Sequence, residues 1–225
     1  MLKFLKKWSM FEIILLVSSV LIIVMFGIIF KSDILTVATS LVGILCALLL
    51  AKGLVAGQLV GMAIVVLYSL VSYKNGFYGE MIIYIGIMLP MYVWGIFEWI
   101  KHKSSKTNSI EVNQISKKEW AIVSFVAVIL FVAFYFLLKR LNTSELIVST
   151  LSVVDNLFAV YLLARRSKYG FVSYIVNDLI LIVLWGIPVI QGNLFLLPML
   201  MNPVVNLVND SYGVINWTKL QKEQS

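Results

Sequence analysis

Three aspartates and a set of carboxamides stand inside apolar blocks where polar side chains are rare. Asp155 and Asn156 lie near the middle of one block, and Asn177 and Asp178 near the middle of the next; Asn202, Asn206, Asn209 and Asp210 follow in the last. A centred Asp costs about 2.5–3.5 kcal/mol on membrane-insertion scales, so each such carboxylate needs a partner, water or a ligand. At 100° per residue, Asn206 is rotated about 40° and Asn209 about −20° from Asn202, which predicts one polar stripe on a helix. Tyr174, Asp178 and Trp185 share a second face through i+4 and i+7 spacing. Aromatic rings stack on a flat solute, amides bind its hydroxyls, and a carboxylate balances a positive charge. Tyr92 and Trp94 complete the candidate binding set from the first half of the chain.

The competing role for these residues is interhelical hydrogen bonding, worth about 0.6 kcal/mol per contact. That suits Asn202 and Asn216, whereas Asp155 and Asp178 are too costly to serve as ordinary packing. The two acids, on different helices, could also form the dyad of an intramembrane hydrolase, but no histidine or thiol supports them. His102 sits in a polar loop, and the single Cys46 lies in an apolar run, read as a packed thiol. No metal site, disulfide or cofactor is expected.

The elements that carry these residues follow from composition. Of 225 residues, 61% are hydrophobic and 13% charged, about half the roughly 25% charged content of soluble domains. The apolar residues come in blocks of about 20, the length that crosses a hydrocarbon core of about 30 Å. Backbone groups in lipid must be satisfied within each segment, so the expectation is an all-α integral membrane protein. Eight spans are predicted, at 11–30, 33–51, 53–73, 78–100, 119–138, 145–164, 169–190 and 194–217. The basic start and first apolar block resemble a signal peptide without a small-residue cleavage site, which predicts a retained span. Trp8, Trp99, Trp120 and Trp217, near span ends, suit interfacial anchors. Pro90, Pro198 and Pro203 are expected to interrupt or kink helices.

The two halves resemble each other. Lys6-Lys7-Trp8 matches Lys117-Lys118-Glu119-Trp120, Ala51-Lys52 matches Ala164-Arg165, Leu89-Pro90-Met91 matches Leu197-Pro198-Met199, and Trp99 matches Trp217. Four spans per half predict a parallel repeat. The net charge of +7 is not a nucleic-acid patch, because the basic residues sit between apolar blocks. Alternate loops hold 14 and 4 of the Lys and Arg residues, which predicts both termini in the cytoplasm of a multi-pass cell-membrane protein. The partners expected are the bilayer and a small solute, and a homo-oligomer is compatible with both.

The chain resembles the PnuC family of bacterial vitamin transporters. The residues that carry the likeness are Gly43-Ile44-Leu45-Cys46, Phe77-Tyr78-Gly79-Glu80-Met81, Gly95 with Trp99, the Asp178-to-Trp185 spacing, and Asn209-x-x-Tyr212-Gly213-x-x-Asn216-Trp217. The resemblance implies a fold similar to SWEET sugar transporters. Residues 1–100 would hold an extra N-terminal span and a first three-helix bundle, 101–118 a cytoplasmic linker, 119–138 a linking helix, 145–217 a second bundle and 218–225 a tail. It further implies uptake of nicotinamide riboside by facilitated diffusion, with cytosolic phosphorylation trapping the riboside, and places Asp178, Trp185 and Asn209 in or near the pocket. The chain departs from the family's common residues at Tyr92, Ile96, Phe171, Tyr174 and Asn206, where substrate choice would be made. Another vitamin such as thiamine or riboflavin, or a nucleoside, is therefore the alternative cargo, with proton coupling as a further alternative.

Overall fold

A computed structural model describes residues 8–104 and 109–224. Lys6 and Lys7 of the Lys-Lys-Trp comparison lie outside them. The helices are α1 (Met10–Ile29), α2 (Ile34–Ala51), α3 (Val55–Lys74), α4 (Tyr78–Lys101), α5 (Lys117–Arg140), α6 (Leu146–Ala164), α7 (Tyr169–Ile190) and α8 (Leu197–Gln224). Seven of them, α1 to α7, are long and apolar enough to cross a membrane. α8 has 28 residues but carries the amides and a charged end.

Local signals explain where helices start. Ser9 caps α1 by accepting from the Glu12 N–H while Glu12 accepts from the Ser9 N–H, a reciprocal capping box. Asp33 caps α2 through the Thr36 N–H, and Ser116 caps α5 through the Glu119 N–H. Proline acts less uniformly than expected. Pro90 follows a π-helical turn at Tyr84–Met88 inside α4; in a regular α-helix a proline ring clashes with the carbonyl four residues back, here that of Gly86, which lies in that wider turn. Pro198 is the second residue of α8 and opens that helix rather than interrupting it, since an N–H there has no helical partner to lose. Pro188 and Pro203 lie inside α7 and α8.

In packing, α3 lies against α2 and α4, and α7 against α6 and α8; α8 also packs on α2, and α4 on α6. α5 leans mainly on α6 and leaves most of its surface apolar and exposed. The Trp99 indole donates to the Leu163 carbonyl at 2.8 Å, and the Trp217 indole to the Leu50 carbonyl at 3.2 Å, so each tryptophan closes the end of a helix in the opposite half. They were expected to be interfacial anchors, yet both are fully buried and face each other. The polar stretch after α4 crosses this same end: the Ile110 N–H donates to Gly53 O and the Asn113 N–H to Arg166 O. Gly53 and Arg166 are the left-handed residues ending α2 and α6.

Two ion pairs sit beside this strap. Glu12 accepts from Lys52 Nζ at 2.6 Å and from the Tyr212 hydroxyl at 2.8 Å. Glu119 accepts from Arg165 Nε at 2.7 Å and from the Tyr161 hydroxyl at 2.8 Å. Both acids are the fourth residue of a Ser-x-x-Glu cap, a match between the halves more telling than the lysine pairs.

Candidate functional site

Where α2, α3, α4, α6, α7 and α8 converge, they enclose a cavity of about 120 Å³. One wall is aromatic. Tyr92 on α4 and Tyr174 on α7 bring their hydroxyls to 3.3 Å across the two halves, while Tyr68 and Tyr84 stack at a ring separation of 4.6 Å. The π-helical turn includes Tyr84, and the Asn156 amide donates to the Tyr84 hydroxyl.

The polar part of the lining comes mainly from α7 and α8. Asn177, Asp178, Asn202, Asn206 and Asp210 belong to it. Asn202 donates to the Ser40 carbonyl at 2.7 Å and accepts from the Asn206 amide at 3.1 Å, which leaves the Asn206 carbonyl oxygen buried and unpartnered. Asn177 donates to Ser152 O at 2.8 Å. Asp178 and Asp210 bring two carboxyls to this lining from neighbouring helices, and Asp178 Oδ2 is buried without a partner among the described residues. Cys46 and Phe171 complete the cavity at the end nearer the strap, with the Cys46 thiol also against Gly57 O.

Of the residues singled out by spacing, Tyr92, Asn156, Tyr174, Asn177, Asp178 and Asn206 line this cavity. Trp185, Asn209, Asp155 and Trp94 do not. Trp185 lies one layer away: its indole N–H donates to the Tyr68 hydroxyl at 3.0 Å, and its ring packs edge-on against Tyr68 and Phe77. Asn209 is buried beside the cavity and donates to Asp210 at 3.3 Å. Asp155 accepts from the Ser173 hydroxyl at 2.9 Å on the α6–α7 contact, and Trp94 stacks on Tyr161 between α4 and α6.

Spacing missed Asp210, Tyr68 and Tyr84. The polar row follows 202, 206 and 210, the i+4 ridge along which crossing helices meet, rather than 202, 206 and 209. That signal was present in the sequence. No periodicity rule marks Tyr84, because the π-helical turn shifts the facing of α4.

The chain matches the model of the family described as nicotinamide mononucleotide transporter over residues 33–219. It is a member of that family. Among curated relatives it is 29% identical over 190 residues to the nicotinamide riboside transporter PnuC of Neisseria mucosa, covering 83% of this chain and 72% of the relative. It is 25% identical over 223 residues to the nicotinamide riboside transporter PnuC of Haemophilus influenzae, covering 98% and 95%. The crystal structure of the vitamin B3 transporter PnuC superposes with a TM-score of 0.85 at 27% identity, covering 97% of this chain and 94% of that one. The family is therefore the one the residues resembled, and the chain is a multi-pass membrane protein of a bacterial transporter family.

Proposed function

We propose that this family member carries nicotinamide riboside across the membrane and does not carry the mononucleotide. The observation that carries this reading is the charge of the cavity. Its wall includes Asp178 and Asp210 and, among the described residues, no Lys, Arg or His. A phosphate monoester needs cationic or backbone donors and would meet buried carboxylates instead. A pyridinium riboside meets Tyr faces for its cationic ring and Asn156, Asn177 and Asn206 for its hydroxyls. Transport is by facilitated diffusion, with cytosolic phosphorylation holding the product inside. In liposomes holding the purified protein, labelled riboside should enter down its gradient and be displaced by unlabelled riboside. A hundredfold excess of mononucleotide should not compete, nor should thiamine or uridine match the riboside. Equal competition by mononucleotide, or no riboside entry, would overturn the reading.

The scaffold for this function is a parallel repeat: α2 to α4 and α6 to α8 as three-helix bundles, α5 as linking helix and α1 as an additional span, so that α8 makes an eighth crossing. Supporting it are contacts that recur at matching positions. Trp99 on Leu163 O mirrors Trp217 on Leu50 O, Gly53 mirrors Arg166, and a Cβ at Gly57 or Gly170 would meet the Leu50 or Leu163 nitrogen at 2.7 or 2.9 Å. α1 and α5 occupy equivalent places through Ser9-x-x-Glu12 and Ser116-x-x-Glu119.

In this reading the strap end, with Lys52, Lys101, Lys117 and Arg165, faces the cytoplasm. Ser105, the first position that suggests itself for a labelling test, lies outside the described residues; Lys101 and Asn193 are both exposed. In a Cys46→Ser background on intact cells, an impermeant thiol reagent should label Asn193→Cys and spare Lys101→Cys. The reverse pattern would invert the topology.

A further inference from the structure

The two halves differ in how their first helices are held. α1 and α5 open with the same Ser-x-x-Glu cap, but α1 packs along both α2 and α8, whereas α5 packs along α6 and meets α4 mainly near the start of that helix. What remains between α4, α5 and α6 is a groove of about 320 Å³, separate from the polar cavity. Its lining is hydrocarbon, thioether and aromatic ring. The Tyr161 hydroxyl is the one polar side-chain group in it among the described residues, and that hydroxyl donates to Glu119 at 2.8 Å. From Ile122 to Leu130 the α5 wall runs about 12 Å at 1.5 Å per residue, so the groove takes a slender apolar body laid along α5. An empty groove forfeits dispersion contact along its walls, and in a bilayer the chains of the lipids are at hand to supply it.

The end of the groove toward the strap is basic. Lys118, Ile122 and Val126 follow at i+4 on α5, and Arg165 stands four residues beyond Tyr161 at the end of α6, so a cation continues both walls by one turn. Glu119 is engaged by Arg165 through two bonds, at 2.7 and 3.1 Å, and by Tyr161. Lys117 and Lys118 are exposed and form no ion pair among the described residues. Trp120 packs on Phe158 of the groove and on Tyr169, and an indole in such a place marks the boundary between headgroups and chains.

We infer that this groove holds one acyl chain of an anionic phospholipid, with the phosphate of its headgroup against Lys118. The groove by itself takes a chain from any lipid; the lysine that continues its α5 wall selects the anionic one. The site is independent of the riboside reading.

Native mass spectrometry of the detergent-purified full chain, titrated with phosphatidylglycerol or with phosphatidylcholine of identical chains, tests it. Wild type should hold one phosphatidylglycerol per chain about fivefold or more tighter than phosphatidylcholine, the contribution of one lysine at a membrane surface. Lys118→Gln should bring the two lipids level and leave phosphatidylcholine unchanged. Lys117→Gln, turned 100° away from the Lys118 stripe, should keep most of the preference. Ala127→Trp puts an indole into the groove and should weaken both lipids several-fold, with thermal unfolding run alongside; undiminished binding there overturns the proposal. Should Ala127→Trp not fold, the two exposed lysines still decide the matter: a preference kept in Lys118→Gln, or lost equally in Lys117→Gln, means diffuse surface charge and overturns it. Equal binding of both lipids by wild type overturns it as well. So does an oligomer that Ala127→Trp breaks apart while lipid binding stays as in wild type, since the groove would then seat a second copy of this chain.

Discussion

Exchanging Gly61 for alanine is expected to lower riboside affinity by about tenfold or more while the protein stays nearly as stable. Gly61 is on α3, and a Cβ there would stand 2.1 Å from Tyr92 Cε1 and 2.4 Å from Cδ1. Real carbon contacts are closer to 3.5–4.0 Å, so the Tyr92 ring has to move by more than about 1 Å. Tyr92 lines the cavity, and its hydroxyl already meets that of Tyr174 at 3.3 Å. The displaced ring therefore takes up part of a space of only about 120 Å³. Stability is less affected because two effects oppose each other. Alanine gains about 1 kcal/mol of helix propensity over glycine, against about 1–3 kcal/mol for overpacking. Calorimetric binding together with thermal unfolding checks this, and unchanged affinity in Gly61→Ala would mean that the ring has another way to move.

Lys52→Met should be the most destabilising of the surface-near substitutions, by about 3–5 kcal/mol, the range for stripping one partner from a buried ion pair. The Glu12 side chain is 3% exposed and that of Lys52 14%. Without the ammonium, Glu12 keeps, among the described residues, only the Tyr212 hydroxyl and the Ser9 N–H as donors. The double variant Glu12→Gln/Lys52→Met removes the orphaned charge and should recover most of the loss. The related pair in the second half gives an internal comparison. Arg165 and Glu119 are 32% and 20% exposed, so Arg165→Met should cost about 1 kcal/mol or less. Unfolding midpoints in one detergent would decide the matter, and equal losses at the two sites would show that burial is not the controlling variable.

The helices were legible because a bilayer imposes a length. Apolar blocks of about 20 residues permit few alternatives when every backbone amide must be satisfied internally. Helix starts at Ser9, Asp33 and Ser116 also follow from short-range capping. The site was legible in part. Asp178 and Asn206, singled out because polarity at membrane depth is costly, and Tyr174, singled out by its i+4 spacing to Asp178, line the cavity. Trp185 was read as part of the pocket from its i+7 spacing, but Tyr68 from α3 stands between it and the cavity.

By itself, then, the sequence determined that the chain is helical, that it lies in lipid, and that its costly polar residues gather in the second half. Those are consequences of composition and of spacing along one helix. Only the tertiary structure decided which of those residues face one another. Asp210 rather than Asn209 lines the cavity, in an i+4 row with Asn202 and Asn206 on α8, and Tyr84 reaches it from a π-helical turn. Asp178 and Asp210 line one cavity because α7 and α8 pack together. A helical period gives the direction of a side chain about its own axis, whereas the angle and depth at which two helices cross are set by all the side chains between them, and the arrival of those two residues in one cavity is a property of the crossing.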